Sequence, residues 1–210
     1  MNSKTTSANR IESHPYGPFI PRGAKALILG TFPAWEFSHP DRSSIRREVM
    51  VDFAYGRIRG PNANLLWRLL GEIHGRSLTS VKAIRDFLRS EKIALADVYS
   101  KVVRKRTRSS SDQDLIVVEY NEKLIEILDR TPTIRFVFCT SRNVQRIFER
   151  YFAPKLNRTD LKIILLISPS ASANRAIGSH PEFKKHFVGL DGDRTYAYRL
   201  AQYRKYFPLK

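Results

Sequence analysis

Two short stretches place hydroxyl groups where an apolar run stops. Gly30-Thr31-Phe32-Pro33 follows a run of Ala, Leu and Ile that spans roughly Ala24 to Leu29. Ser168-Pro169-Ser170-Ala171-Ser172-Ala173-Asn174 follows a second run, Leu161 to Ile167. Backbone N–H groups and hydroxyls in such loops ligate phosphate. Gly30 admits backbone conformations closed to other residues, and Pro33 stops a strand ladder. Strand ends also need turns, and Gly, Pro and Ser build turns. Each loop alone is therefore read as an ordinary turn. Taken together, at the carboxyl ends of buried strands, they point to a shared phosphate or nucleotide site, because open α/β sheets bind ligands at that edge. A third stretch, Lys101 to Asp112, holds Arg104, Lys105, Arg106 and Arg108 and is expected to be a polar loop, disordered or held against an anion. With Arg42, Arg46 and Arg47, which share a helical spacing, it would supply a phosphate track.

The composition favours the same partner. Lys and Arg total 37 against 20 Asp and Glu, a formal net charge of +17. Polyanion binding uses such an excess through counterion release, whereas small-metabolite chemistry has no need of it. Neither hydroxyl loop carries the glycine spacing of a P-loop or a dinucleotide fingerprint. The histidines (His14, His39, His74, His180, His186) lack metal-binding spacing. The lone Cys139 lies in an apolar run, which excludes an intrachain disulfide and a Cys-ligated cluster. No stretch is long and apolar enough to span a membrane. Met1 to Ser13 lacks a signal core, so a cytoplasmic location is expected, nucleoid-associated if the source is bacterial.

The elements that must position these residues alternate. Buried-type strands are expected at Ala24–Leu29, Ile93–Val98, Ile134–Cys139 and Leu161–Ile167. Helices are expected from Asn62 or Asn64 to His74, over Ser80–Arg89, Asp114–Arg130, Asn143–Tyr151 and Tyr196–Tyr206, the last packed on the sheet edge. This pattern is α/β, a three-layer α/β/α sandwich around a four-stranded parallel sheet. Residues 1–13 are expected to be flexible, and residues 14–210 to form a single domain, expected to be a monomer.

Five motifs then fall in a recognisable order: Gly30-Thr-Phe-Pro33, Asn64-Leu-Leu-Trp67, Ile93-Ala-Leu-Ala-Asp-Val98, a Ser-Ser-Asp112 segment and Pro169-Ser-Ala-Ser-Ala-Asn174. Together they resemble the uracil-DNA glycosylase superfamily, most closely its hypoxanthine-DNA glycosylase branch. The resemblance implies hydrolysis of the N-glycosidic bond of a damaged base in DNA, with no metal or cofactor. It implies that Gly30, Thr31, Phe32 and Pro33 floor a base pocket, with Phe32 or Tyr55 stacking on the base or simply packing. It makes Pro169, Ser170, Ala171, Ser172 and Asn174 the wedge and phosphate clamp. Phe32 stands where many branches carry Asp or Asn, and a phenyl ring does no acid–base chemistry. The resemblance moves the polar role to Asn64, otherwise read as a helix cap. Asp112 is the aligned carboxylate, either a helix N-cap or a catalytic auxiliary, with Asp97 behind it as a structural acceptor. A nucleic-acid or nucleotide binding module without glycosidic chemistry is the alternative.

Overall fold

The run Ala26 to Leu29 has no polar alternation because both of its faces are covered, and all four side chains are completely buried. The computed structural model describes residues 10–38, 65–106, 109, 111–170, 173–187 and 193–209. In chain order the elements are β1 (Ile11–Ser13), β2 (Ala26–Gly30), α1 (Trp35–Ser38), α2 (Leu65–His74), α3 (Val81–Ser90), β3 (Ile93–Asp97), β4 (Tyr99–Arg104) and β5 (Leu115–Tyr120). They continue with α4 (Lys123–Arg130), β6 (Phe136–Cys139), α5 (Arg142–Ile147), β7 (Lys162–Leu165), α6 (Asn174–Gly178), α7 (Pro181–His186) and α8 (Arg194–Arg204).

The central sheet has four strands in the order β3-β2-β6-β7. Each neighbouring pair is parallel, with Leu29 level with Ala96 on one side and Cys139 on the other. Ala26 and Ile28 face a core built with α2, α3 and α8. Leu27 and Leu29 face a second core with Leu124, Leu128, Val144 and Phe148. Helices on both faces make the α/β/α sandwich. The carboxyl ends of all four strands therefore share one edge, with β6 between the two that carry the hydroxyl loops.

Several expectations are corrected. Residues 11–13 are a strand, not part of a flexible leader, and pair antiparallel with β4. The basic stretch begins as strand β4, in a second sheet of order β1-β4-β5. Val102 is completely buried there and Arg104 nearly so, at 5% exposure. The single helix expected over 114–130 is instead β5 followed by α4. Ile116-Val117-Val118 is β-branched and favours a strand, and the Asn121 side chain then turns the chain by donating to Asp97 O at 2.9 Å. The final helix is not confined to the sheet edge. Tyr203 is completely buried and donates its hydroxyl to Ile167 O at 3.0 Å. No helix among the described residues is long and apolar enough to cross a membrane.

Candidate active site

Where β2 ends, Gly30 O accepts from Val98 N, and Thr31 O accepts from Tyr99 N, so the turn is tied to the start of β4. This leaves the Thr31 side chain beside the connection between β4 and β5. Its hydroxyl donates to Asp112 Oδ2 at 2.7 Å, across 81 positions of sequence. Asp112 opens a short 3-10 turn, Asp112 to Asp114, whose N-cap is Ser111. Asp112 is therefore not the cap, and its carboxylate reaches across to the β2 turn instead.

Asp112 is exposed as a residue, while protein is packed densely around its carboxylate. That crowding raises its pKa. The Thr31 hydrogen bond pulls the pKa back, the Asp97 charge raises it further, and Arg104 lowers it. Tyr99 lies in the same field. Burial, then Tyr120 and Asp112, push its phenol up to about 12, and a hydrogen bond with Asn143 offsets part of this. Asp97, at the end of β3, bonds to His14 Nε2 at 2.8 Å. The Tyr16 N–H donates to His14 Nδ1 at 3.1 Å, so Nε2 carries the proton and donates to Asp97. The His14 ring meets Phe32 edge-on at 5.4 Å. Phe32 is buried, at 7% exposure, and contributes a wall rather than a reacting group.

Arg104 explains why the carboxylate and the turn meet. Its Nε donates to both oxygens of Glu12 at 3.1 and 3.0 Å. Nη2 donates to Pro33 O at 2.7 Å, and Nη1 to Ser109 O at 2.6 Å. Ser38 also donates to Glu12. One guanidinium thus ties the β2 turn to the segment that delivers Asp112. The expectation that Arg104 contacts phosphate is corrected, because its donors are held inside the protein. Arg106 is exposed but paired with Asp114 at 2.7 Å. Lys105 donates its backbone N–H to Asp114 O at 2.8 Å.

At the second loop, Ser170 N donates to Ser168 Oγ at 3.2 Å, and Ala173 N donates to Ser170 O at 3.1 Å. Asn174 opens α6 and directs its amide oxygen to Arg199. Pro169 lies between the two bonded serines. Asn64, Tyr55, Ala171, Ser172 and Arg108, and Arg42, Arg46 and Arg47, lie outside the described residues. Among the described residues, no group of three or more His, Cys, Asp or Glu is placed to hold a metal ion. A hollow of about 530 Å³ lined by Phe19, Ile20, Pro21, Arg22 and Arg89 lies beside the outer edge of β3 and is not part of this site. His14, Glu12, Ser38, Tyr99 and Arg199 were not singled out from the sequence. Their partners lie far along the chain, so no local spacing marks them.

No family model and no curated protein matches the chain. Among solved structures it is similar to a solution structure described as that of a "putative Uracil DNA glycosylase" from Methanosarcina acetivorans. The two share 19% identity with a TM-score of 0.54, over 93% of this chain and 98% of that one. The fold is common to both.

Proposed function

We propose that the protein is a monofunctional DNA glycosylase that hydrolyses the N-glycosidic bond of a deaminated base, hypoxanthine or uracil, in base excision repair. The observation that carries this reading is the 2.7 Å bond from Thr31 to Asp112 at the carboxyl edge of the parallel sheet. A carboxylate of raised pKa at that edge supports the reading, because open α/β sheets bind ligands outside the carboxyl ends of their strands. The shared fold and the net charge of +17 support it.

A base inside a duplex must be flipped out before its glycosidic bond can be reached. Phe32 then serves as an apolar wall of the pocket, and the 168–174 loop fills the gap and holds phosphate. Thr31 orients Asp112 by occupying Oδ2. The carboxylate takes a proton from water as the water oxygen bonds to C1′ and the C1′–N bond breaks. Its negative charge also stabilises the oxocarbenium-like sugar. The base departs with the bonding electron pair and takes a proton from solvent, giving an abasic sugar and the free base while Asp112 returns its proton to solvent, and Asn64 is assigned a hydrogen bond to the base or to the water.

The test is incubation with oligonucleotides carrying uracil, hypoxanthine or xanthine, single- and double-stranded, followed by alkali. Cleavage that falls by about 10²–10⁴-fold in Asp112→Asn is expected. No cleavage of any substrate refutes the enzyme. Phe32, in place of an acid–base residue, favours a second reading, a nucleic-acid or nucleotide binding module. That reading predicts salt-sensitive binding without cleavage, unchanged by Asn64→Ala.

A further inference from the structure

Arg199 is completely buried in α8. Its Nε donates to Ser168 O at 2.9 Å, and Nη2 donates to Ser170 O at 2.9 Å and to Asn174 Oδ1 at 2.8 Å. Nη1 makes a long contact to Thr195 O at 3.5 Å. All of these acceptors are neutral oxygens, and three belong to the 168–174 loop. The carboxylate whose field reaches Arg199 is Asp193, which is committed to capping α8 through Tyr196 N and Thr195 Oγ1. Burial lowers the pKa of Arg199, the direction expected of a cation that no carboxylate among the described residues bonds.

A buried guanidinium is costly, and an apolar side chain of similar length would fill the space at less cost if packing were the only need. What Arg199 supplies instead is a rigid fork that fixes loop oxygens on both sides of Pro169, and a positive charge directly behind them. We propose that Arg199 is the positioning residue for the oxygens of Ser168, Ser170 and Asn174, holding them in place to receive a phosphodiester and presenting a charge from behind that favours the anion. Arg199 acts through the loop and does not touch the phosphate. The identity of that anion as DNA rests on the glycosylase reading, and the bracing of the loop does not.

The test compares the full-length protein with Arg199→Lys, Arg199→Met and Asn174→Ala. Hydrogen exchange of the loop amides is measured without DNA, and affinity is measured for a duplex carrying a tetrahydrofuran abasic analogue over a series of salt concentrations. Both Arg199 variants should exchange faster in the loop and bind about 10- to 100-fold more weakly, the fold-change expected from losing hydrogen bonds made by a charged donor. The slope of log affinity against log salt should not change. Asn174→Ala should lie between wild type and Arg199→Lys, which keeps the experiment decisive if the methionine variant does not fold. Loop exchange and affinity equal to wild type in Arg199→Lys would overturn the proposal. So would a slope reduced by about 0.9, the signature of a direct phosphate contact. If the wild type binds no DNA, the glycosylase reading fails, while the exchange result still decides whether Arg199 braces the loop.

Discussion

Replacing Arg104 with Met tests the way the site is assembled. The Arg104 and Glu12 side chains are only 3% and 5% exposed. Methionine preserves the bulk but, among the described residues, removes every donor to Glu12 except the Ser38 hydroxyl, and takes the guanidinium from Pro33 O and Ser109 O. Breaking a buried pair by removing one partner destabilises by about 3–5 kcal/mol, because the other charge stays buried. For a chain of this length each kcal/mol moves Tm by about 2–4 °C, so a fall of roughly 6–20 °C is expected. Thermal unfolding followed by circular dichroism near neutral pH gives the number. The double variant Glu12→Gln/Arg104→Met removes the stranded charge and should recover a large part of the loss, because the two side chains are directly coupled. A loss below about 1 kcal/mol, the value of an exposed pair, would refute the buried clasp. A double variant no more stable than Arg104→Met alone would refute the explanation by stranded charge. Arg104 also lowers the pKa of Asp112, so any activity left in Arg104→Met should need higher pH than wild type.

Other outcomes follow from the same contacts. Asp112→Asn should reduce excision by about 10²–10⁴-fold, the usual contribution of general acid–base catalysis, in an alkali cleavage assay. The variant should nevertheless be at least as stable as wild type near neutrality. Burial raises the folded-state pKa of Asp112 above its ordinary 3.8, so the folded protein holds that proton more tightly than the unfolded chain, and stability falls as pH rises from 3.8 through the raised value. The advantage of Asn should therefore vanish below that window in paired melting curves. Thr31→Val removes the hydrogen bond that lowers the Asp112 pKa, so the acid limb of the kcat/KM profile should move to higher pH, and an unmoved limb would separate Asp112 from the rate. Tyr203→Phe leaves Ile167 O without its partner and should cost about 1–3 kcal/mol by urea unfolding, confirming α8 as part of the core.

The central sheet was legible because buried parallel strands are short continuous apolar runs, and Ala26 to Leu29 is such a run. β4 was not legible because it combines charge with a broken period. Its register shifts between Tyr99, Lys101 and Val102, so burial falls at Tyr99, Val102 and Arg104 rather than at every second residue. Lys101 and Arg104 then read as solvated, although Arg104 lies inside. From sequence β5 reads as the start of a helix, because Leu115 and Val118 fit a helical stripe as well as a strand. In the structure Val118 is exposed and Leu115 is half buried. The glycine-proline turn and the serine-rich loop were legible as special strand ends. The arginines behind them were not, since Glu12 lies 92 positions from Arg104 and Ser168 lies 31 from Arg199.

This arrangement changes what Phe32 means. A reacting side chain in its place would depend on the β2 turn alone for its position. With a phenyl ring there, the charge must come from another part of the chain, and the site becomes sensitive to how that part is held. Asp112 is carried by the connection between β4 and β5 of the smaller antiparallel sheet, while Thr31 directly follows β2 of the parallel one. Arg104 binds Pro33 O, two residues after Thr31, and Ser109 O, three residues before Asp112. It therefore fixes both ends of the 2.7 Å contact from a single buried point. The basic stretch that reads as a surface for anions is instead, at Arg104, the interior link between the two sheets. Precision in the proposed site then depends on the junction between the sheets, and substitutions at the buried Glu12 or Ser38 should disturb the proposed chemistry through that junction.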